Sequence, residues 1–146
     1  VENAVRSLGF NVATRSGDQV PSPSSQVFVI DAMGQLMPFF AASDVAFIGG
    51  SLVPIGGHNV LEPAALSVPV LVGPHTSNFE GITGSLIQQG GADRVDNIEQ
   101  LGPSVLELLL DSGRRDRMGQ AAQQVFERER GAVGRIVTMI DALLQE

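Results

Sequence analysis

Apolar residues fall along this chain in two rhythms. Three short runs, Val27-Phe28-Val29-Ile30, Val45-Ala46-Phe47-Ile48 and Val68-Pro69-Val70-Leu71-Val72, show no alternation with polar residues. Continuous runs of four or five, rich in Val and Ile, predict parallel strands buried on both faces. Between the first two, residues 35–43 leave room for a crossover helix. Between the second and third, residues 59–66 predict a short helix after a Gly-rich loop. A strand over 11–15, a helix over 79–89 and a strand over 92–95 extend the series. Strands and helices alternating at this spacing predict an α/β fold on a parallel sheet with right-handed crossovers.

The last third changes to a helical period. Residues 98–110 place Leu101, Val105, Leu108 and Leu109 on one face, and 114–129 place Met118, Ala121, Ala122, Val125 and Phe126 at i, i+3, i+4, i+7 and i+8. Ile136, Val137, Ile140, Leu143 and Leu144 continue that stripe in a predicted final helix. At the other end, residues 1–10 read as an amphipathic helix with Gly9 as its C-cap, followed by a loop over 16–26 with two Pro and four Ser. No linker or internal repeat divides the chain, so 1–146 reads as one domain. A first residue, Val1, already in helical register with Leu8 reads as a piece of a longer protein.

Composition narrows the chemistry. Hydrophobic residues are 43% and charged residues 17%, which supports a packed core and argues against disorder. No apolar run approaches the roughly 20 residues of a membrane span, and no signal peptide is predicted. The net charge is −7 and all nine basic residues are Arg. With Trp and Tyr absent as well, nucleic acid is a poor partner for this surface. There is no Cys and there are only two His, His58 and His75, which excludes disulfides and thiolate or multi-histidine metal sites.

Glycine-containing turns follow each of the three apolar runs. Asp31-Ala32-Met33-Gly34 follows the first, Gly49-Gly50-Ser51 the second and Gly73-Pro74-His75-Thr76-Ser77-Asn78 the third. Ligands of open α/β sheets bind at the carboxyl ends of strands, so these turns are expected along one edge of one sheet. Asp31 reads either as a substrate contact or as a turn residue. In Gly56-Gly57-His58-Asn59-Val60-Leu61-Glu62-Pro63, glycines precede a helix start, where outward-facing amides would favour an anion. The Ser51 hydroxyl is a further donor for a phosphate. Glu62 supports two readings. It either closes a capping box with Asn59 or accepts both hydroxyls of a ribose. His75 reads as a proton shuttle or a packing residue, and Asn78 as a helix cap.

These stretches resemble the C-terminal part of the transferases of 3-deoxy-D-manno-octulosonic acid (Kdo) in lipopolysaccharide synthesis. The resemblance rests on Phe47-Ile48-Gly49-Gly50-Ser51-Leu52-Val53, on the segment from Gly56 to Ala64, and on Val70-Leu71-Val72-Gly73-Pro74-His75-Thr76-Ser77-Asn78-Phe79. It spans the chain and is strongest over 27–80. It implies a Rossmann-like parallel sheet with flanking helices, the C-terminal half of a GT-B glycosyltransferase that binds CMP-Kdo. Met33 and Gly34 match positions beside the cytosine. Gly50, Ser51, Gly56, Gly57, His58, Asn59 and Glu62 match the surroundings of phosphate and ribose, and His75 and Asn78 face the donor sugar or the interdomain interface. Ala32 and Gln35 depart from the family's usual Asp-Thr-Met-Gly-Glu-Leu.

The resemblance also implies metal-independent transfer to a lipid A precursor at the cytoplasmic face of the inner membrane of a Gram-negative bacterium. No cofactor is expected. The acceptor side and the catalytic base belong to an N-terminal domain absent here, so these 146 residues are expected to bind the donor and to be inactive alone. Two alternatives stand beside this reading. One is another GT-B nucleotide-sugar enzyme, a UDP-sugar transferase or an epimerase; the other is a non-catalytic α/β binding module.

Overall fold

The computed structural model describes residues 1–17 and 20–143, with side chains through residue 131. Its elements are α1 (Glu2–Ser7), β1 (Val12–Thr14), β2 (Val27–Val29), α2 (Leu36–Ala41), β3 (Ala46–Phe47), α3 (Leu61–Ala65), β4 (Val70–Val72), a 3-10 turn (Ser77–Phe79), α4 (Glu80–Gln88), β5 (Ala92–Arg94), α5 (Ile98–Leu110) and α6 (Ser112–Leu143). The chain forms two compact units divided at Phe39/Phe40, a boundary that falls within α2 rather than in a linker.

In the N-terminal unit β1 and β2 pair in parallel, with Val12 opposite Val27 and Thr14 opposite Val29. β1 is buried at every position, while β2 is only half-buried. Phe28 and Phe39 stack at 5.5 Å between ring centroids. Asp31, just past β2, accepts hydrogen bonds from the Ser16 hydroxyl (2.5 Å) and amide (2.8 Å). Those two donors, the hydroxyl first, hold its carboxyl below the usual range. Asp31 is therefore a clasp between the turns that follow β1 and β2.

The C-terminal unit is built on the parallel sheet β3-β4-β5, registered Ala46↔Val70 and Val70↔Ala92. Its central strand explains the unbroken apolar run. Val70 and Val72 point into one cluster, with Ile48, Val60, Ala64, Leu86, Ala92, Ala122 and Val125. Leu71 points the opposite way, into a second cluster with Leu108 and Met118, against Val45, Phe47, Leu101 and Val105. Both faces of the sheet are thus covered by helices, which is why β4 carries no polar position. Arg114 links β5 to α5 through ion pairs of 2.8 Å to Asp93 and to Glu107. These carboxylates, Glu107 foremost, raise its already high pKa.

Three expectations are corrected. The strands all pair in parallel, but in two sheets rather than one. The turn at 31–34 therefore follows a strand of a different sheet from the turns after β3 and β4. Leu109, expected on the buried face of α5, is 47% exposed. The two C-terminal helices are one 32-residue helix that runs on through Gly131 and Gly134, with no Pro between them to break it. The apolar stripe over 136–144 has side chains outside the described residues.

Candidate functional site

The loops leaving β3 and β4 are tied together by one fully buried residue, Ser51. Its hydroxyl donates to the Ile48 carbonyl (2.5 Å) and accepts from the Gly73 amide (2.8 Å). Its own carbonyl accepts from the His75 amide (2.9 Å). Ser51, read from the sequence as a phosphate donor, here spends its proton inside the loop. Gly73 is required by this closeness, since a Cβ there would stand 2.2 Å from the Ser51 carbonyl oxygen.

Gly56 and Gly57 turn the next segment with φ of +101° and +73°, a region that side chains with a Cβ rarely adopt. The turn folds back on the first loop. The Gly57 amide donates to the Gly50 carbonyl and the His58 amide to the Gly49 carbonyl, both at 3.2 Å. These two amides were expected to face an anion, and they face carbonyls of the preceding loop instead. Asn78 then clamps the turn from the other loop. Its side-chain amide donates to the carbonyls of Ile55 (3.3 Å) and Gly57 (3.2 Å), and its backbone amide donates to Gly56 (3.1 Å). Asn78→Ala should therefore lower stability by about 1–2 kcal/mol through the lost carbonyl contacts. An unchanged thermal midpoint would show that the loops hold without the clamp.

Glu62 does not close a capping box with the backbone of Asn59. The Asn59 side-chain oxygen accepts from the Leu61 amide (3.0 Å), so Asn59 supports the start of α3. Its side-chain amide donates to Glu62 Oε1 at 3.2 Å, so Glu62 meets the side chain of Asn59 rather than its backbone. The carboxylate is half-buried and oriented by Asn59, and Oε2 has no hydrogen-bond partner among the described residues. With only five residues, α3 contributes little macrodipole of its own.

Beside this turn, at the carboxyl edge of β3-β4-β5, lies a cleft of about 260 Å³. Its walls include Gly56, His75, Thr76, Ser77, Glu80 and Arg94. Here His75 is exposed, as is His58 on the neighbouring loop. The structure therefore brings together Gly50, Ser51, Gly56, Gly57, His58, Asn59, Glu62, His75 and Asn78 on the C-terminal unit. Met33, 98% exposed, and Gly34, with φ +73°, belong to the N-terminal unit. Thr76, Ser77, Glu80 and Arg94 were not singled out from the sequence. Arg94 carried a legible signal, a cation at the carboxyl end of a strand. Among the described residues no group of three or more metal-ligating side chains stands together, and no helix is long and apolar enough to cross a membrane.

No family model matches the chain. It is 37% identical, over 99% of its length, to a 3-deoxy-D-manno-octulosonic acid transferase of Haemophilus influenzae, and 34% identical, over 94% of its length, to one of Bordetella pertussis. It spans 34% and 32% of those two proteins, about a third of each. Among solved structures it is similar to the C-terminal CMP-Kdo binding domain of WaaA from Acinetobacter baumannii. That match has a TM-score of 0.79 and 34% identity, and covers 83% of this chain and 63% of that one.

Proposed function

We propose, because this chain is similar over nearly its whole length to 3-deoxy-D-manno-octulosonic acid transferases and, among solved structures, to a C-terminal CMP-Kdo binding domain, that it is the donor-binding domain of such an enzyme and takes CMP-Kdo. The observation that carries the proposal is the match to a CMP-Kdo binding domain, with the tied loops at the sheet edge where α/β proteins hold ligands. The residues divide by role. Gly50, Gly56 and Gly57 shape the loop, and Ser51 and Asn78 lock it. His58, Asn59 and Glu62 present side chains to phosphate and ribose. The assignment of Met33 and Gly34 to the cytosine rests on the resemblance alone.

In transfer the phosphate of CMP-Kdo is the leaving group, and its negative charge grows as the glycosidic bond breaks. Polar groups already fixed around it stabilise that charge without reorganising. Here the ties among Ser51, Gly73 and Asn78 supply the rigidity, while the exposed His58 ring and the Asn59 amide are the donors at hand. Glu62, anchored through Asn59, fixes the ribose and with it the bond that breaks. A carboxylate outside these 146 residues takes the proton of the acceptor hydroxyl. The acceptor is a lipid A precursor, and the reaction runs at the cytoplasmic face of the inner membrane without a metal.

Titration with CMP, UDP and ADP tests the reading. CMP should bind at least tenfold more tightly than UDP; equal binding would favour another nucleotide-sugar enzyme, and no binding at all a non-catalytic module. Glu62→Gln separates ribose binding from helix support. A carboxylate accepts charge-assisted bonds from two hydroxyls, whereas Gln offers one acceptor oxygen. CMP affinity should fall roughly tenfold, about 1.4 kcal/mol, with the ligand-free thermal midpoint nearly unmoved. A variant that melts early yet binds CMP normally once folded would make Glu62 a structural residue.

A further inference from the structure

The cleft beside the Gly56-Gly57 turn is small for a whole nucleotide sugar. Pockets that take entire ligands span roughly 300–1,000 Å³, and this one is about 260 Å³. It suits one sugar ring with its substituents. Its chemistry is uneven. Its lining includes Arg94, at the last position of β5, whose guanidinium makes no hydrogen bond or ion pair among the described residues. It also includes hydrogen-bonding groups without a fixed positive charge: Thr76, Ser77, the Glu80 carboxylate and His75. Arg114, by contrast, is paired with both Asp93 and Glu107.

We propose that Arg94 binds the carboxylate of the donor sugar and so selects an acidic sugar over a neutral one. This rests on the donor-binding reading above. An octulosonic acid carries its carboxylate on the anomeric carbon, next to the bond that breaks. The planar guanidinium fork matches a carboxylate through two parallel hydrogen bonds, which fixes orientation as well as affinity. Glu80 would repel that carboxylate, but it accepts hydrogen bonds from sugar hydroxyls. A cation and a carboxylate lining the same cleft therefore impose one direction on a polyhydroxylated acid. Gly56 forms part of the cleft wall; Asn59 follows it by three residues on the same loop, and Glu62 by six, in the first turn of α3. A donor with its ribose at Glu62 thus has its sugar beside this cleft, and a held carboxylate aligns the anomeric carbon for attack.

The test compares CMP with CMP-Kdo by titration of the full chain and its Arg94 variants. Arg94→Gln should weaken CMP-Kdo binding roughly tenfold and leave CMP within twofold, because CMP lacks the sugar acid. Arg94→Lys, which keeps the charge without the fork, should recover only part of the loss. The thermal midpoint should stay put in both, since the exposed guanidinium has no partner to lose. Unchanged CMP-Kdo affinity in Arg94→Gln overturns the proposal. So does an equal loss for CMP, which would put Arg94 on the phosphate. Wild-type protein that binds neither ligand overturns the donor-binding reading itself, a result distinct from a selective failure of Arg94.

Discussion

Gly73→Ala is expected to destabilise the C-terminal unit by about 3 kcal/mol or more, at the upper end of what overpacking costs. The added methyl would stand 2.2 Å from the Ser51 carbonyl oxygen, 2.4 Å from its carbon and 2.7 Å from the Leu52 nitrogen. All three are backbone atoms, so no side chain can swing aside. Relief requires parting the loops after β3 and β4. That breaks the Gly73 amide bond to the Ser51 hydroxyl and the His75 amide bond to the Ser51 carbonyl. A loss of this size corresponds to a fall in melting temperature of about 10 °C. The same variant should lose CMP affinity, because the loop carrying His58, Asn59 and Glu62 depends on the junction. A midpoint within a degree or two of wild type would mean the loops pack less tightly than described.

Ser51→Ala should cost about 2–4 kcal/mol. Losing the hydroxyl strands the Gly73 amide without an acceptor and the Ile48 carbonyl without that donor, in a site with no exposure. A buried polar group left unmade costs about 1–3 kcal/mol, and two are affected. The small void left by the hydroxyl adds little. The experiment also decides between two roles for this residue. As a brace, Ser51→Ala lowers the midpoint of the ligand-free protein. As a phosphate donor, it would melt normally and lose only CMP affinity. Since Ser51 and Gly73 share a contact, their effects should not add; the double variant measures that coupling.

Local signals were enough for many of the elements, though not for the join of the two C-terminal helices. The apolar period gives α5 as Ile98–Leu110, the range observed. The three apolar runs contain β2, β3 and β4, and the Gly-rich segments are the loops that follow β3 and β4. Hydrophobic run length and helical spacing are properties of neighbouring residues, so they survive without knowledge of the rest of the chain. The resemblance added candidate residues, most of them on the two loops at the carboxyl edge of the C-terminal sheet, with Met33 and Gly34 on the N-terminal unit.

Partner choice was different, because it depends on residues distant along the chain. No local pattern says that β2 pairs with β1 and leaves β3 to start a second sheet. Nor does one say that the Ser51 hydroxyl meets a glycine 22 positions away, or that Asn78 reaches back 21 and 23 positions to Gly57 and Ile55. The same holds for the Gly57 and His58 amides, whose acceptors lie in the preceding loop. Sequence alone determined which polar groups stand at the strand ends. The tertiary structure decided which of them are consumed in holding the loops and which, such as Glu62 Oε2 and Arg94, have no partner among the described residues, since a hydrogen-bonding group can be spent only once and its partner is fixed by packing.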